Sequence, residues 1–116
     1  MATHKRAVFT ATEQRLAAIA KALGHPARVA IVRLLAQRRA CVCGELVLEL
    51  PLSQSTVSQH LKELKAAGLV QGEVDGSRVY YCLDAAGWAV ARRLLGDLLA
   101  AMPTADADGT AVPGCC

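Results

Sequence analysis

Residues 53–68, SQSTVSQHLKELKAAG, restrict the possible folds of this chain more than any other segment. Val57, Leu61 and Leu64 recur at helical spacing, Ser53 or Ser55 can cap the start, and Gly68 supplies the left-handed residue on which helices commonly stop. The segment is predicted to form an amphipathic helix of about four turns. At about 100° per residue, Ser55, Gln59 and Lys62 fall opposite the apolar stripe, with Ser58 on one flank and Thr56 on the other. One face therefore enters a core, and the other offers short hydrogen-bonding side chains.

The flanking segments narrow the fold further. Immediately upstream, CGELVLEL can form a short helix that Pro51 stops, because the residue before proline avoids helical dihedrals; its alternating Leu and Glu leave a strand open. Downstream, LVQGEVDGSRVYYCL has two β-prone runs about Asp75-Gly76-Ser77, and the Asp-Gly pair suits a tight hairpin turn. Nearer the start, Leu16, Ile19, Ala20 and Leu23 mark a first helix over residues 13–23 that Thr12 can cap and Gly24 ends. A second helix starts with Pro26 in its first turn and runs through Val29, Ile31, Val32, Leu34 and Leu35, which reads as well buried. Asp84 caps a last helix bearing Trp88, Val90, Ala91, Leu94, Leu95, Leu98 and Leu99, and Pro103 ends it.

A chain of 116 residues suits one domain, and 53% hydrophobic but only 3% aromatic residues favour helices over a large sheet. The expected fold is mainly α with a small β-hairpin: about five helices, a domain over 12–102, a flexible segment over 1–11 and a flexible tail over 103–116 ending in Cys-Cys. No run suits a signal peptide or a membrane span, so no membrane partner and a cytoplasmic location are expected.

Two helices joined by the short LPLS turn, the second capped and polar on its free face, followed by a hairpin, make a helix-turn-helix with a wing. A helix lying in a DNA major groove needs donors and acceptors near its N-terminus, and the flanking phosphates attract Lys, Arg and Ser. Gln54, Ser55, Thr56, Ser58, Gln59, His60 and Lys62 fit that role, with both glutamines able to pair with adenine through two bonds. Arg78, beside the hairpin turn, can reach the backbone or the minor groove. His60, about 60° from the apolar stripe, suits a DNA contact or a boundary residue equally. Residues 1–50 carry eight Lys and Arg against three acids within a net charge of +3, which is compatible with a nucleic-acid partner but also with a solvated surface.

LGHPARVAIVRLL, ACVCGEL, LPLSQSTVSQHLKELKAAGLV and GEVDGSRVYYCL together resemble the ArsR/SmtB family of metal- and metalloid-responsive winged helix-turn-helix repressors, across about residues 12–102. The resemblance implies a homodimer paired through its first and last helices, bound to an imperfect palindrome in double-stranded DNA and released when a toxic ion binds. Independently, the apolar first and last helices call for a partner surface, which a second copy supplies.

Five cysteines in a reducing compartment suit free thiols, ligands or redox sensors better than a disulfide framework. Family members that sense arsenite or antimonite carry CVC and a third Cys three residues on, at the start of the helix before the recognition helix. Cys41 and Cys43 match the first two positions, whereas Leu46 stands at the third. Trivalent arsenic favours three thiolates, so Cys115 and Cys116 become candidates to complete the site, unless the tail thiols are incidental. Cys82 reads as a small buried packing residue in an alternating strand. Residues two apart on a helix point about 200° apart, so Cys41 and Cys43 can share an ion only if the helix start is distorted or absent; otherwise they are two small hydrophobes.

The inducer implied is arsenite or antimonite, or cadmium or lead if the tail supplies further thiolates, with no permanent cofactor. The last helix lacks the His residues of the family's zinc site. Two alternatives are a repressor of the same fold switched by thiol oxidation and a small thiol enzyme such as an arsenate reductase. The enzyme lacks a Gly-rich phosphate loop and a His or Asp base beside any cysteine, so no enzymatic activity is expected.

Overall fold

Five helices and three strands follow one another in residues 8–38 and 41–105, which the computed structural model describes. The order is α1 (Ala11–Leu23), α2 (Pro26–Arg38), β1 (Cys41–Val42), α3 (Cys43–Glu49), α4 (Gln54–Ala66), β2 (Val70–Asp75), β3 (Arg78–Leu83) and α5 (Ala85–Ala100). Thr10, rather than Thr12, caps α1: its Oγ1 accepts from the Glu13 amide at 3.0 Å, and Glu13 Oε1 accepts from the Thr10 amide at 2.9 Å. Only Thr10 has a glutamate three residues on, and that spacing closes the reciprocal pair of bonds. Pro26 opens α2 as expected. Burial along α2 is narrower than expected: Ile31 and Leu35 are buried, Val32 and Leu34 are partly so, and Val29 is exposed.

The expected two-stranded ribbon carries a third strand. β3 lies in the centre, paired antiparallel with β2 from Val70↔Leu83 to Asp75↔Arg78, and with β1 at Cys41↔Tyr81 and Val42↔Tyr80. Two residues are too few for strand alternation to register in a sequence; β1 exists because the free edge of β3 supplies its hydrogen-bond partners. Gly76 takes φ 66° at the first position of the two-residue β2–β3 turn, as the tight turns favoured by hairpin twist require.

α3 and α4 form the helix-turn-helix. The Leu50 amide closes α3 on the Leu46 carbonyl, Pro51 stops it, and Ser53 caps α4 by accepting from the Thr56 amide. α4 delivers Val57, Leu61 and Leu64 to one core with Ile19, Ala22, Ile31, Leu35, Leu46, Leu69, Val70, Ala91 and Leu94. Burying each large aliphatic side chain contributes roughly 1.5–3 kcal/mol, so the helix is held mainly by this face.

α5 is seated on the exit from α4. Asp84 caps it, accepting from the Gly87 amide at 3.1 Å. The Leu69 carbonyl accepts from the Asp84 amide at 3.1 Å and from the Trp88 indole N–H at 2.9 Å. Gly68, at φ 79°, turns its carbonyl onto Gly87. Near the end of α5, Leu98 and Leu99 are exposed, as are Met102 just after it and Val8 and Phe9 before α1, and α1 and α5 lie against each other. Among the described residues no helix is long and apolar enough to cross a membrane.

Candidate functional site

Gln54, Ser55, Thr56, Ser58, Gln59 and Lys62 all lie exposed along α4. Their hydroxyls are already ordered by one another. Ser53 Oγ lies 3.2 Å from Ser55 Oγ and 3.0 Å from Thr56 Oγ1, so the cap and the first turn present one hydroxyl cluster. Gln59 Nε2 donates to Glu63 Oε1 at 3.5 Å, which turns that amide along the helix. Arg78 is exposed at the start of β3, opposite Asp75 across the hairpin. The arrangement presents a polar helix beside a basic wing, which can meet base edges and phosphates together.

His60 departs from the set expected to face DNA. It is 7% exposed, and its Nδ1 accepts from Arg28 Nε at 3.1 Å. The His25 ring lies against it with centroids 4.5 Å apart. The same guanidinium donates to the carbonyls of Lys21 and Ala22 at the end of α1, each at 3.4 Å. His60 therefore faces inward and joins α4 to α1 and α2. Sequence periodicity left its direction open, because the residue that draws it inward lies 32 positions earlier. Arg28 was not singled out in the sequence; its proximity to the end of α1, where unpaired carbonyls collect, is the signal that marks it.

An Nδ1 that accepts must be unprotonated, and burial first, then the charges of His25 and Arg28, holds the His60 pKa below its usual value of 6.5. As pH falls through about 6.5 the unfolded chain takes up this proton before the folded one, so the contribution is complete above that pH and is lost progressively below it. The urea midpoint is therefore expected to fall between pH 7.5 and 5.5. His60→Asn, which keeps an acceptor but does not titrate, is expected to flatten that slope. An unchanged slope in the variant would assign the dependence to other groups.

The Cys43 thiol lies against the start of α4. β1 ends and α3 begins between Val42 and Cys43, so Cys41 belongs to a strand and Cys43 to the first turn of a helix. The condition for sharing an ion, a non-helical start, is met in the backbone. Cys43 Sγ lies 3.4 Å from Ser58 Oγ and 3.8 Å from the Gln54 carbonyl oxygen. It opens on a cleft of about 330 Å³ lined also by Gly44, Arg78, Val79 and Tyr81. The thiol thus faces both the polar helix and the wing. The sequence did not indicate that Val79 and Tyr81 line this cleft.

Leu46 is fully buried in the core. Cys82 is half-buried in β3; since Val79 and Tyr81 face the cleft, strand alternation turns Cys82 away from it. The Cys41 side chain and the whole of Cys115 and Cys116 lie outside what the structure describes. Among the described residues no three His, Cys, Asp or Glu side chains are grouped to hold a metal ion.

Residues 25–71 match the model of the family described as bacterial regulatory protein, arsR family. The HTH-type transcriptional repressor SmtB of Mycobacterium tuberculosis is 52% identical over 63 residues, 54% of this chain and 46% of the relative, so the chain spans under half of that relative's length. The crystal structure of a possible transcriptional regulator for arsenical resistance superposes with a TM-score of 0.63 at 36% identity, over 67% of this chain and 80% of that one. The homodimeric winged helix-turn-helix DNA-binding domain Mb0332 of Mycobacterium bovis (fragment 1–100) gives a TM-score of 0.61 at 33% identity, over 75% of this chain and 79% of that one.

Proposed function

The chain belongs to the arsR family of bacterial regulatory proteins, and we propose that it is a DNA-binding transcriptional repressor that leaves its operator when arsenite or antimonite is held by Cys41 and Cys43. The observation that carries this reading is the position of the Cys43 thiol, in a cleft whose other walls are α4 and the wing. In it, Gln54, Ser55, Thr56, Ser58, Gln59 and Lys62 enter the major groove, and Arg78 meets phosphates or the minor groove. His60 holds α4 from within.

The donor set suits a soft ion. Arsenous acid, As(OH)3, and two thiols exchange two As–O bonds for two As–S bonds and release two waters, each carrying one arsenic hydroxyl and one thiol proton. The third arsenic position keeps its hydroxyl or exchanges it for another thiol. Leu46 occupies the family's position for that thiol and serves the core instead, so the third ligand falls to Cys115 or Cys116. The regulator similar to this chain that is described for arsenical resistance supports the choice of ion.

Exposed Leu98, Leu99 and Met102, with Val8 and Phe9, support pairing of two copies through α5 and α1, as does the homodimeric state of Mb0332. Two copies related by a twofold axis would present two α4 helices to an imperfect palindrome. Titrating the DNA complex with arsenite, antimonite, cadmium and lead tests the reading. Arsenite and antimonite are expected to release the full chain, and a chain truncated after Met102 is expected to need at least about tenfold more, the loss of about 1.4 kcal/mol of ligation. If none of the four ions releases DNA, the thiols are not an inducer site.

A further inference from the structure

The Cys43 thiol belongs to α3, but its two hydrogen-bond partners among the described residues belong to α4: Ser58 Oγ at 3.4 Å and the Gln54 carbonyl oxygen at 3.8 Å. Gln54 and Ser58 are one turn apart and both lie on the exposed polar face of that helix. A thiol has one proton, a carbonyl oxygen only accepts, and a hydroxyl does either. The free thiol can therefore donate to Gln54 while it accepts from Ser58, or donate to Ser58, and in each case the sulfur engages the N-terminal half of the reading helix.

We propose that Ser58, with the Gln54 carbonyl, is the positioning residue through which α4 senses whether Cys43 is free or occupied. This rests on the reading of Cys43 as an inducer ligand. When an As–S bond forms, the thiol proton departs in the water that carries away an arsenic hydroxyl. The Gln54 carbonyl then loses its donor from α3 and faces a sulfur that can only accept. Of the two described partners only Ser58 can donate to that sulfur, and to do so it turns its O–H inward, away from the DNA side. The change falls on two of the seven exposed polar residues of α4, and it does not require α3 to drag on the covalent turn at residues 50–53. Arg78 and Val79 of the wing line the same cleft, so an ion seated there has both DNA-facing elements as walls.

The test is a ratio, in which any direct contact of Ser58 with DNA cancels: the Kd for a selected operator fragment with saturating arsenite, divided by the Kd without it. Couplings of this kind typically span about 5–150-fold. Ser58→Ala is expected to bind arsenite with unchanged stoichiometry, followed by loss of free thiols, yet to lower the ratio by at least about fivefold. Ser58→Thr, which keeps the hydroxyl, is expected to restore it, and Ser55→Ala, one turn away from the thiol, to leave it at the wild-type value. A wild-type ratio in Ser58→Ala overturns the proposal, as does a loss equally large in Ser55→Ala. A ratio of about one in the wild-type protein overturns the inducer reading itself, and this inference with it.

Discussion

Gly87→Ala is expected to lower stability by about 3 kcal/mol or more, a fall in Tm of roughly 12–24 °C for a domain of this size. A Cβ built on Gly87 would lie 1.7 Å from the Gly68 carbonyl oxygen and 2.8 Å from its carbon. Both obstacles are backbone, so no rotamer change relieves the clash. Relief requires α5 to lift from the α4–β2 corner, which strains the two hydrogen bonds that Leu69 accepts from Asp84 and Trp88. Gly44→Ala is the contrasting substitution: nothing lies within 4 Å of its Cβ, and alanine in a helix is expected to add about 0.5–1 kcal/mol. Thermal melts of the two variants by circular dichroism make the comparison. A Gly87→Ala midpoint within a few degrees of wild type would show that this corner is not closely packed.

Cys43→Ser is expected to leave DNA affinity within about twofold of wild type and to reduce release by arsenite from a typical 5–150-fold effect to about onefold. A serine hydroxyl is close to the thiol in size and hydrogen-bonding capacity, so contacts to Ser58 and to the Gln54 carbonyl survive in the free protein. What the oxygen lacks is affinity for a soft ion. Cys41→Ser is expected to behave the same way, since it removes the thiol proposed to hold the ion beside Cys43 at the strand-to-helix boundary. A mobility-shift titration in which both serine variants still release DNA at the wild-type arsenite concentration would place the inducer site elsewhere.

Long patterns were legible in the sequence. α4, the hairpin and α5 each span several periods of their apolar repeat and carry their own stop and start residues, and each formed where its pattern lies. The cap of α1 was misplaced: Thr12 is the nearer threonine to the first apolar residue of the stripe, but the capping box closes between Thr10 and Glu13. What could not be read were features made by distant partners. β1 is two residues long and exists through its register with Tyr80 and Tyr81. His60 turns inward because Arg28 meets it there. The two cysteines of ACVCGEL fall on either side of a strand-to-helix boundary that the pairing of β1 creates, and the approach of Ser58 to Cys43 joins residues 15 positions apart.

Arg28 is a three-way joint. One guanidinium ties the last carbonyls of α1 to the ring of His60, and so fixes the tilt of the reading helix relative to the helix bordering the proposed pairing surface. In a paired form the two reading helices would be held apart through two such joints, and DNA half-sites repeat at about 34–36 Å. In such a pair the spacing of the two reading helices would depend on a side chain that lies between helices rather than on the polar face of α4.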